Sequence, residues 1–387
     1  MQERRCVLLT AAALLLILGN IVCMWKVFHS MNSCDEPHYG KHSETVKGPL
    51  IEDDTLNETL PATFTAALQA YPVVPTSVVK RILIVTYHQS GVTLLGKLLT
   101  HVPRTFFHFE PFALFTQGGR IRPSKERYAL ELLDELARCR LWKVPLYAIS
   151  LGGSGGSYKF NRFLADVCQG GDSCSSPSYV SSLCLRAETQ AFEVKRLSVS
   201  QVSRWIQRNP DIAESVRVIH LVRDPREIYA SRRDLDSCRA GDSCFSAKAL
   251  CSQMRSDLRA FEDLEKQMGR NKICRLRIED LSSDPVNQTK QLFARLGLDL
   301  HPNVLSFLRR EDTGIVTKLG KQHHTTSNAS TLGDSWKTRL PKNTIREIEE
   351  MCADVLLKLD YERVFHSVNS AEQSNLAQIP PPPIFAR

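Results

Sequence analysis

The chain has 387 residues, of which 42% are apolar and 24% are charged, and these proportions exclude a largely disordered protein. Its formal net charge of +8 suits an anionic substrate, cofactor or polymer, although an ordinary basic surface accounts for it equally well. Because Lys and Arg never form a run of five, we expect no nucleic-acid partner.

An apolar stretch near the N-terminus predicts a membrane anchor. The residues from Cys6 to Trp25 are apolar with three exceptions, and twenty helical residues span roughly 30 Å, the thickness of a bilayer core. Two arginines precede the stretch, so the positive-inside rule places them in the cytoplasm and the rest of the chain in a lumen. We therefore predict a cytoplasmic tail over residues 1–5 and a signal anchor over residues 6–28. A cleaved signal peptide is the alternative, but no clear cleavage site follows the apolar core.

The cysteines agree with a lumenal domain. Ten of the twelve follow the predicted anchor, and an even number in an oxidising compartment indicates disulfide bonds. Cys168 with Cys174 and Cys238 with Cys244 each enclose a short loop that contains Gly-Asp-Ser, and we interpret both pairs as loop staples. The pairing of the other cysteines stays open. We expect no metal site, because no C-x-x-C pair and no Cys/His set with zinc spacing occurs.

Composition and sequons divide the lumenal part of the chain. Residues 29–79 are polar without a sustained period and predict a stem, and the Pro-rich residues 367–387 predict a disordered tail. The ordered domain is expected over residues 80–366. Sequons for N-glycosylation, which suit a secretory lumen, begin at Asn57, Asn287 and Asn328.

Short β-branched runs alternate with amphipathic segments through the domain. Strands are predicted over residues 81–87, 104–109, 189–197, 216–222 and 272–278. Helices are predicted over residues 92–101, 125–138, 247–268, 285–296 and 341–359. This alternation predicts an α/β fold with a central, mainly parallel sheet that is covered by helices on both faces. Ligands of such sheets bind at the carboxyl ends of the strands.

The loop after the first predicted strand is a candidate anion site. It runs from His88 to Gly91 into a helix N-terminus, where backbone N–H groups and the helix dipole favour negative charge. Gly91 lets the backbone approach an anion closely, and Ser90 and Thr93 can add hydroxyl donors. The loop is not a Walker A motif, because no Gly-Lys-Ser/Thr follows. On its own, such a strand–Gly–helix segment is more often only a turn.

A second candidate site lies at the end of the fourth predicted strand. Arg223 ends the strand, Asp224 can cap the following helix, and Pro225 suits its first turn. Ser231 follows Arg223 by eight residues, and an arginine with a hydroxyl on the next helix can bind a phosphate. The alternative is a capped helix whose solvated basic face carries Arg226, Arg232 and Arg233.

Together the two sites resemble the motifs of the Golgi carbohydrate sulfotransferases, especially the galactose/N-acetylgalactosamine/N-acetylglucosamine 6-O group. The family's 5′-phosphosulfate loop is similar to Arg-Ser-Gly-Ser-Ser, and its 3′-phosphate motif is similar to Leu-x-Arg-Asp-Pro-Arg followed by Ser. The second motif matches residues 221–226 and Ser231, and smaller matches occur at residues 110–111, 277–281 and 334–337. The first motif matches Gln89, Ser90, Gly91, Val92 and Thr93.

The resemblance implies a three-layer, P-loop-like sulfotransferase fold over residues 80–365. It also implies transfer of a sulfuryl group from 3′-phosphoadenosine 5′-phosphosulfate (PAPS) to a hydroxyl of a glycan, without a metal. The expected acceptor is the 6-hydroxyl of galactose, N-acetylgalactosamine or N-acetylglucosamine on a glycoprotein or proteoglycan. The implied location is the Golgi membrane, with a type II anchor and the catalytic domain in the lumen.

The resemblance assigns roles to individual residues and also shows a departure. Residues 89–93 would hold the 5′-phosphosulfate, Arg223 and Ser231 the 3′-phosphate, and Glu110 would be the general base. Gln89 stands where the family has an arginine, and Val92 replaces a serine. His88 and Lys97, which lies on the following helix, are our candidates to substitute for the missing charge. The alternative is a non-catalytic relative that binds nucleotide or glycan. A nucleotide kinase is disfavoured, because the Walker lysine is absent.

Overall fold

The computed structural model describes residues 68–116, 119–152, 157–169, 172–235, 238, 243–310 and 334–365. The predicted anchor, cytoplasmic tail and C-terminal tail lie outside these residues, as do Asn57 and Asn328. Within the described ranges, no helix combines the length and the apolar character needed to cross a bilayer.

Five parallel strands form the central sheet, in the order β2-β3-β1-β4-β5. The strands are β1 (Lys80–Val85), β2 (Thr105–His108), β3 (Thr189–Val194), β4 (Val216–Val222) and β5 (Ile273–Arg277). The chain passes from β1 to β2 and β3 on one side and then to β4 and β5 on the other, so a topological switch point lies beside β1. The predicted α/β class with a parallel sheet is confirmed, and the carboxyl edge at the switch point is where ligands of such sheets bind.

Fifteen α-helices are described, and most of them cover the sheet. The first eight are α1 (Val92–Thr100), α2 (Pro123–Ala137), α3 (Pro145–Gly152), α4 (Arg162–Cys168), α5 (Pro177–Cys184), α6 (Val199–Arg208), α7 (Pro210–Ala213) and α8 (Pro225–Arg233). The others are α9 (Ala247–Met268), α10 (Ile278–Ser283), α11 (Pro285–Leu296), α12 (Pro302–Arg310), α13 (Trp336–Arg339), α14 (Lys342–Met351) and α15 (Ala353–Lys358).

Alternate residues of β1 pack into two different hydrophobic layers. Ile82 and Ile84 belong to the layer that contains Leu95 of α1. The residues that alternate with them, Leu83 and Val85, belong to the layer that contains Trp205 of α6. Successive side chains of a strand point to opposite faces, so helices cover both faces of the sheet. The structure therefore has the three layers that the sequence predicted.

Two predicted elements differ in the structure. The helix predicted over residues 341–359 is divided at Cys352 into α14 and α15, and the sulfur of Cys352 is bonded to Cys251 of α9. The short helices α3 to α5 were not predicted, because their hydrophobic periods are too short to recognise. The strand predicted to reach residue 87 ends at Val85, where the candidate anion loop begins.

Four disulfide bonds join described cysteines. Both predicted loop staples are present, at Cys168–Cys174 and Cys238–Cys244. The structure also shows the pairs that the sequence left open, Cys139–Cys184 and Cys251–Cys352. Cys274, buried in β5, is a free thiol.

Candidate functional site

The carboxyl edge of the sheet gathers the predicted site residues from four adjacent strands. Arg223 follows β4, the loop 86–91 follows β1, Lys195 follows β3, and Glu110 follows β2. Arg223 and the loop are joined directly, because Nη1 of Arg223 donates to the carbonyl oxygen of Gln89 at 2.9 Å. The two candidate phosphate sites are therefore neighbours in space, although 134 residues separate them in sequence.

The loop after β1 has the backbone shape of an anion cradle. Gly91 is the N-cap of α1 with a φ of 80°, and Gln89 also has a positive φ, 69°. A Cβ on Gly91 would lie 2.9 Å from Cγ1 of Ile278. Gly91 therefore has a left-handed backbone conformation and also no room for a side chain. The first N–H groups of a helix have no partner inside it, so those of Val92 and Thr93 can serve an anion.

Two of the predicted donor-binding residues turn their side chains inward. Ser90 is completely buried, its main-chain N–H donates to Tyr87 at 3.2 Å, and its hydroxyl lies 2.5 Å from that of Thr86. Because the Thr86 hydroxyl donates to the carbonyl of Leu221, the Ser90 hydroxyl must donate to Thr86. Val92 is also buried, in the core. The loop therefore offers main-chain N–H groups rather than the side chains of these two residues.

The predicted 3′-phosphate residues converge on one buried carboxylate. Arg223 and Ser231 are each 6% exposed. Nη2 of Arg223 pairs with Oε1 of Glu227 at 3.4 Å, and the Ser231 hydroxyl donates to the same oxygen at 3.4 Å. Glu227 also accepts from the Trp336 N–H and from Ser335 Oγ, which explains the match at residues 334–337. The structure thus brings the two predicted residues together.

The solvated basic face that we considered for α8 is wrong for two of its three arginines. Arg226 is 2% exposed and Arg232 is 4% exposed, whereas Arg233 lies at the surface as expected. Arg226 pairs with Asp224 and with Glu349, and its guanidinium stacks 4.0 Å from the Trp336 ring. Arg226 and Asp224 of the matched motif therefore hold α8 in place instead of facing a ligand.

The matched segment 277–281 packs against the carboxyl end of β4. One carboxylate oxygen of Glu279 accepts from the Asp224 N–H at 2.9 Å, and the other accepts from the Tyr361 hydroxyl at 2.9 Å. Burial raises the pKa of Glu279 despite these donors. The segment therefore positions the turn after β4.

Glu110 lies at the end of β2 between two cations. Lys195 donates to one of its carboxylate oxygens, and Nη1 of Arg196 donates to the other at 3.0 Å. Burial alone would raise the pKa of Glu110, but these two cations outweigh it and lower the pKa to about 2. Glu110 is therefore ionised at every physiological pH. It can accept and orient a hydroxyl proton, but its intrinsic basicity is low.

A cleft with several cationic walls opens beside the loop. Its lining residues are Tyr87, His88, Gly119, Arg120, Lys195, Arg196, Arg232, Cys244 and Gln253, and we call it the cationic cleft. Burial, followed by the charges of Lys195 and Arg232, lowers the pKa of His88 to about 4, so its imidazole is neutral at pH 7. His88 Nε2 is buried, with no hydrogen-bond partner among the described residues. His88 thus brings no charge of its own.

Sequence reasoning missed the arginines and the lysine of the cationic cleft. A signal was present for Lys195 and Arg196, which directly follow β3 and so lie at the same sheet edge as the other strand ends. Arg120 carries no such signal, because it enters the cleft from a segment outside the sheet and pairs with the buried Asp257 of α9. The helical position of Arg232 predicts a surface residue, which is wrong because Arg232 is 4% exposed.

Comparisons with known proteins identify related sequences. The model of the sulfotransferase family matches residues 174–302. Human carbohydrate sulfotransferase 6 is 24% identical over 76% of this chain and 83% of its own length. Mouse carbohydrate sulfotransferase 2 is 24% identical over 74% of this chain and 65% of its own length, so the chain spans just under two thirds of that relative.

Solved structures of sulfotransferases also align with the chain. The sulfotransferase domain of the Synechococcus PCC 7002 olefin synthase covers 76% of this chain and 98% of its own, with 18% identity and a TM-score of 0.41. The sequence relatives carry the assignment, since they extend over most of the described domain. The resemblance and the enzyme class that the motifs indicated, carbohydrate sulfotransferase, are confirmed by this similarity to the carbohydrate sulfotransferases.

Proposed function

We propose that the chain transfers a sulfuryl group from PAPS to a glycan hydroxyl, the 6-hydroxyl of galactose, N-acetylgalactosamine or N-acetylglucosamine. The observation that carries the proposal is the hydrogen bond from Arg223 to the carbonyl of Gln89, which joins a phosphate-binding strand end to an anion-binding loop. A nucleotide with phosphates at both its 3′ and 5′ positions needs two such sites side by side. An adenosine 3′,5′-bisphosphate (PAP) moiety meets that requirement.

The residues present fit this donor. The main-chain N–H groups of Val92 and Thr93, with the dipole of α1, would hold the 5′-phosphate. Arg223 and Ser231 would hold the 3′-phosphate, taking donors that now point to Glu227. In the reaction, the acceptor oxygen forms a bond to sulfur while the bond from sulfur to the 5′-phosphate oxygen breaks, and the hydroxyl proton leaves. The products are the sulfated glycan and PAP.

Glu110 is our candidate to receive the hydroxyl proton. Its carboxylate lies beside the cationic cleft through its contact with Lys195, and it is ionised because the pKa is about 2. Such a weak base accepts the proton late, after the oxygen has begun to bond to sulfur and has become more acidic. His88 is the second candidate for the same role, since its imidazole is neutral and its Nε2 has no hydrogen-bond partner in the part of the chain that the structure describes.

The proposed location is the Golgi membrane, with a type II anchor over residues 6–28 and the domain in the lumen. Support comes from four disulfide bonds, which persist in oxidising compartments. Glycosylation at Asn287 is part of the proposal. Asn287 lies in the first turn of α11, its amide donates to Asp284, and Thr289 of the same sequon is fully buried. An oligosaccharide would therefore have to be added before α11 folds.

A non-catalytic protein that binds donor nucleotide or glycan is the second candidate function. Gln89 favours it, because a neutral amide replaces the cation that the related loop motif carries. The phosphate sites alone do not distinguish the two functions, since a binding protein would keep both. Turnover is the property that separates them.

The test is sulfate transfer from labelled PAPS to a panel of glycans by the full chain, with the Arg223→Ala variant alongside. The matched control is Arg217→Ala, which removes an arginine from the amino-terminal half of the same strand. We expect transfer by the wild type and the control, and loss by Arg223→Ala. Binding of PAP without transfer would favour the non-catalytic function, and absence of PAP binding in a folded protein would refute both.

A further inference from the structure

Arg232 is a buried cation that lacks a carboxylate at salt-bridge distance in the described part of the chain. It is 4% exposed, and its guanidinium donates to two carbonyl oxygens, those of His88 at 3.1 Å and Cys244 at 3.2 Å. These bonds use two of the five N–H donors of an arginine. Burial, and then the charge of Arg120, lower the pKa of Arg232 to about 10. A buried charge in this position is unfavourable until an anion joins it.

Arg81 shows how the protein otherwise buries an arginine without a carboxylate. It is 1% exposed and donates to three carbonyl oxygens and to the hydroxyl of Ser215. It lies at the start of β1, on the edge of the sheet away from the cleft. Arg232 has fewer acceptors, and it lines the cationic cleft. The protein therefore supplies four acceptors to Arg81, whereas Arg232 keeps donors that an anion can accept from.

The order of the strands places the sulfuryl end of the donor at this cleft, if the proposed function is correct. The 3′-phosphate site lies at the end of β4 and the 5′-phosphate site at the loop after β1. The next strand in the same direction is β3, whose end carries Lys195 on the wall of the cleft. A donor that spans β4 and β1 therefore directs the group beyond its 5′-phosphate toward the cationic cleft.

We propose that Arg232 binds the sulfuryl end of the donor and supplies, from α8, the positive charge that Gln89 does not bring to the loop. Arg232 suits this role better than the other cations of the cleft. Lys195 and Arg196 share the carboxylate of Glu110, and Arg120 pairs with Asp257. The guanidinium of Arg232 holds the carbonyl of His88, so its charge lies within one peptide unit of residue 89.

The catalytic consequence follows from where charge appears during transfer. The three sulfuryl oxygens carry negative charge while the bond from sulfur to the bridging oxygen breaks and the bond from sulfur to the acceptor oxygen forms. A guanidinium held in place beforehand stabilises this charge without reorganising. Arg232 would therefore contribute more to turnover and to binding of the sulfated donor than to binding of PAP, which lacks the sulfuryl group.

The experiment uses the full chain with Arg232→Gln, Gln89→Arg, and the two changes combined. We expect Arg232→Gln to lower kcat by about 100-fold or more and to weaken PAPS binding by about 10-fold, with PAP binding changed by less than about threefold. We expect the combined variant to recover at least about 10-fold in kcat, because Gln89→Arg returns a charge to the loop. Arg233→Gln, the neighbouring exposed arginine, is the control and should behave as the wild type.

Other results would overturn the proposal. Equal weakening of PAP and PAPS by Arg232→Gln, with no recovery in the combined variant, would mean that Arg232 only braces the loop. If Arg232→Gln does not fold, Gln89→Arg alone still decides. Because Arg232 is still present in Gln89→Arg, we expect this variant to gain less than about threefold in kcat or PAPS affinity over the wild type. A gain of about 10-fold or more would show that the wild type has no other group in place of the missing loop arginine. Absence of PAP binding by the wild type would refute the proposed function itself. The ratio of PAP to PAPS affinity tests Arg232 even in a protein without turnover.

Discussion

Nη1 of Arg223 donates to the carbonyl oxygen of Gln89 at 2.9 Å, while Nη2 of the same guanidinium pairs with Glu227 at 3.4 Å. One side chain therefore fixes the position of the loop after β1 relative to α8. Its planar fork supplies the two contacts from two separate nitrogens, whereas a lysine has only one nitrogen to direct. The bond explains how two motifs that lie far apart in sequence act as one donor site.

Arg223→Lys is expected to weaken PAP binding by about 10-fold, because it keeps the positive charge but loses one of the two directed contacts. Isothermal titration with PAP measures the effect, and circular dichroism confirms the fold. Arg217→Lys is the matched control, and it should bind PAP as the wild type does. An Arg223→Lys protein with unchanged affinity would show that charge alone, and not the fork, holds the loop and the 3′-phosphate.

Gly91→Ala is expected to destabilise the domain by about 2–4 kcal/mol, which adds the left-handed backbone cost to the cost of overpacking. The overpacking arises because the new Cβ would lie 2.9 Å from Cγ1 of Ile278. Gly297→Ala is the matched control, since Gly297 has a φ of 64° but nothing within 4 Å of the new Cβ. Its expected cost is about 1–2 kcal/mol, from the backbone alone.

Urea unfolding of the two glycine variants measures this difference. Equal losses of stability would mean that the loop moves away from Ile278 without cost. Gly91→Ala with the additional change Ile278→Ala removes the opposing Cγ1 and should recover the steric part of the loss. That variant also loses core packing, so Ile278→Ala alone is its reference.

The sheet and the donor site could be predicted because their signals are local. Buried parallel strands are short apolar runs. Arg223 directly follows one such run, and Gln89 lies in the loop after another. The cationic cleft depends on the order β2-β3-β1-β4-β5, which places Glu110 beside Lys195 and which the sequence does not display. Arg232 was misjudged for a related reason. Its position on α8 predicts a solvated side chain, but the guanidinium lies against the carbonyls of His88 and Cys244, which are remote from it in sequence or separated from it by a loop.

Glu110→Gln is expected to lower kcat by about 100-fold or more while PAP affinity stays within about threefold, if Glu110 receives the hydroxyl proton. The pKa of about 2 means that kcat should show no acid limb from Glu110 between pH 4.5 and 8. Steady-state kinetics with PAPS and titration with PAP separate the two effects. Glu126→Gln, which removes an ion pair on α2 with Arg204, is the control. A normal kcat in Glu110→Gln would mean that His88 or water, and not Glu110, receives the hydroxyl proton.

The same carboxylate makes a prediction for stability against pH. The pKa of Glu110 is lower in the folded protein, about 2, than the ordinary value of 4.5. The unfolded chain therefore binds a proton that the folded protein releases, and the stabilisation is present above pH 4.5 and lost as the pH falls toward 2. Glu110→Gln should flatten this part of the acid unfolding curve. A curve that keeps the wild-type slope would show that Lys195 and Arg196 do not lower the pKa.

The disulfide bonds make a prediction that depends on how much chain each one closes. Cys251–Cys352 joins α9 to the start of α15 across a sequence separation of 101, whereas Cys168–Cys174 spans only 6. Loop-closure entropy then predicts that the free energy of unfolding falls by about 5 kcal/mol in Cys251→Ser with Cys352→Ser, against about 2 kcal/mol in Cys168→Ser with Cys174→Ser.

Loss of the Cys251–Cys352 bond should also loosen α8, because Ile228 of α8, Met254 of α9 and Cys352 belong to one buried cluster. Differential scanning fluorimetry of the two double variants, with and without PAP, compares them directly. Equal losses of stability in the two double variants would mean that local packing, and not the entropy of the unfolded chain, determines how much each disulfide bond stabilises the protein.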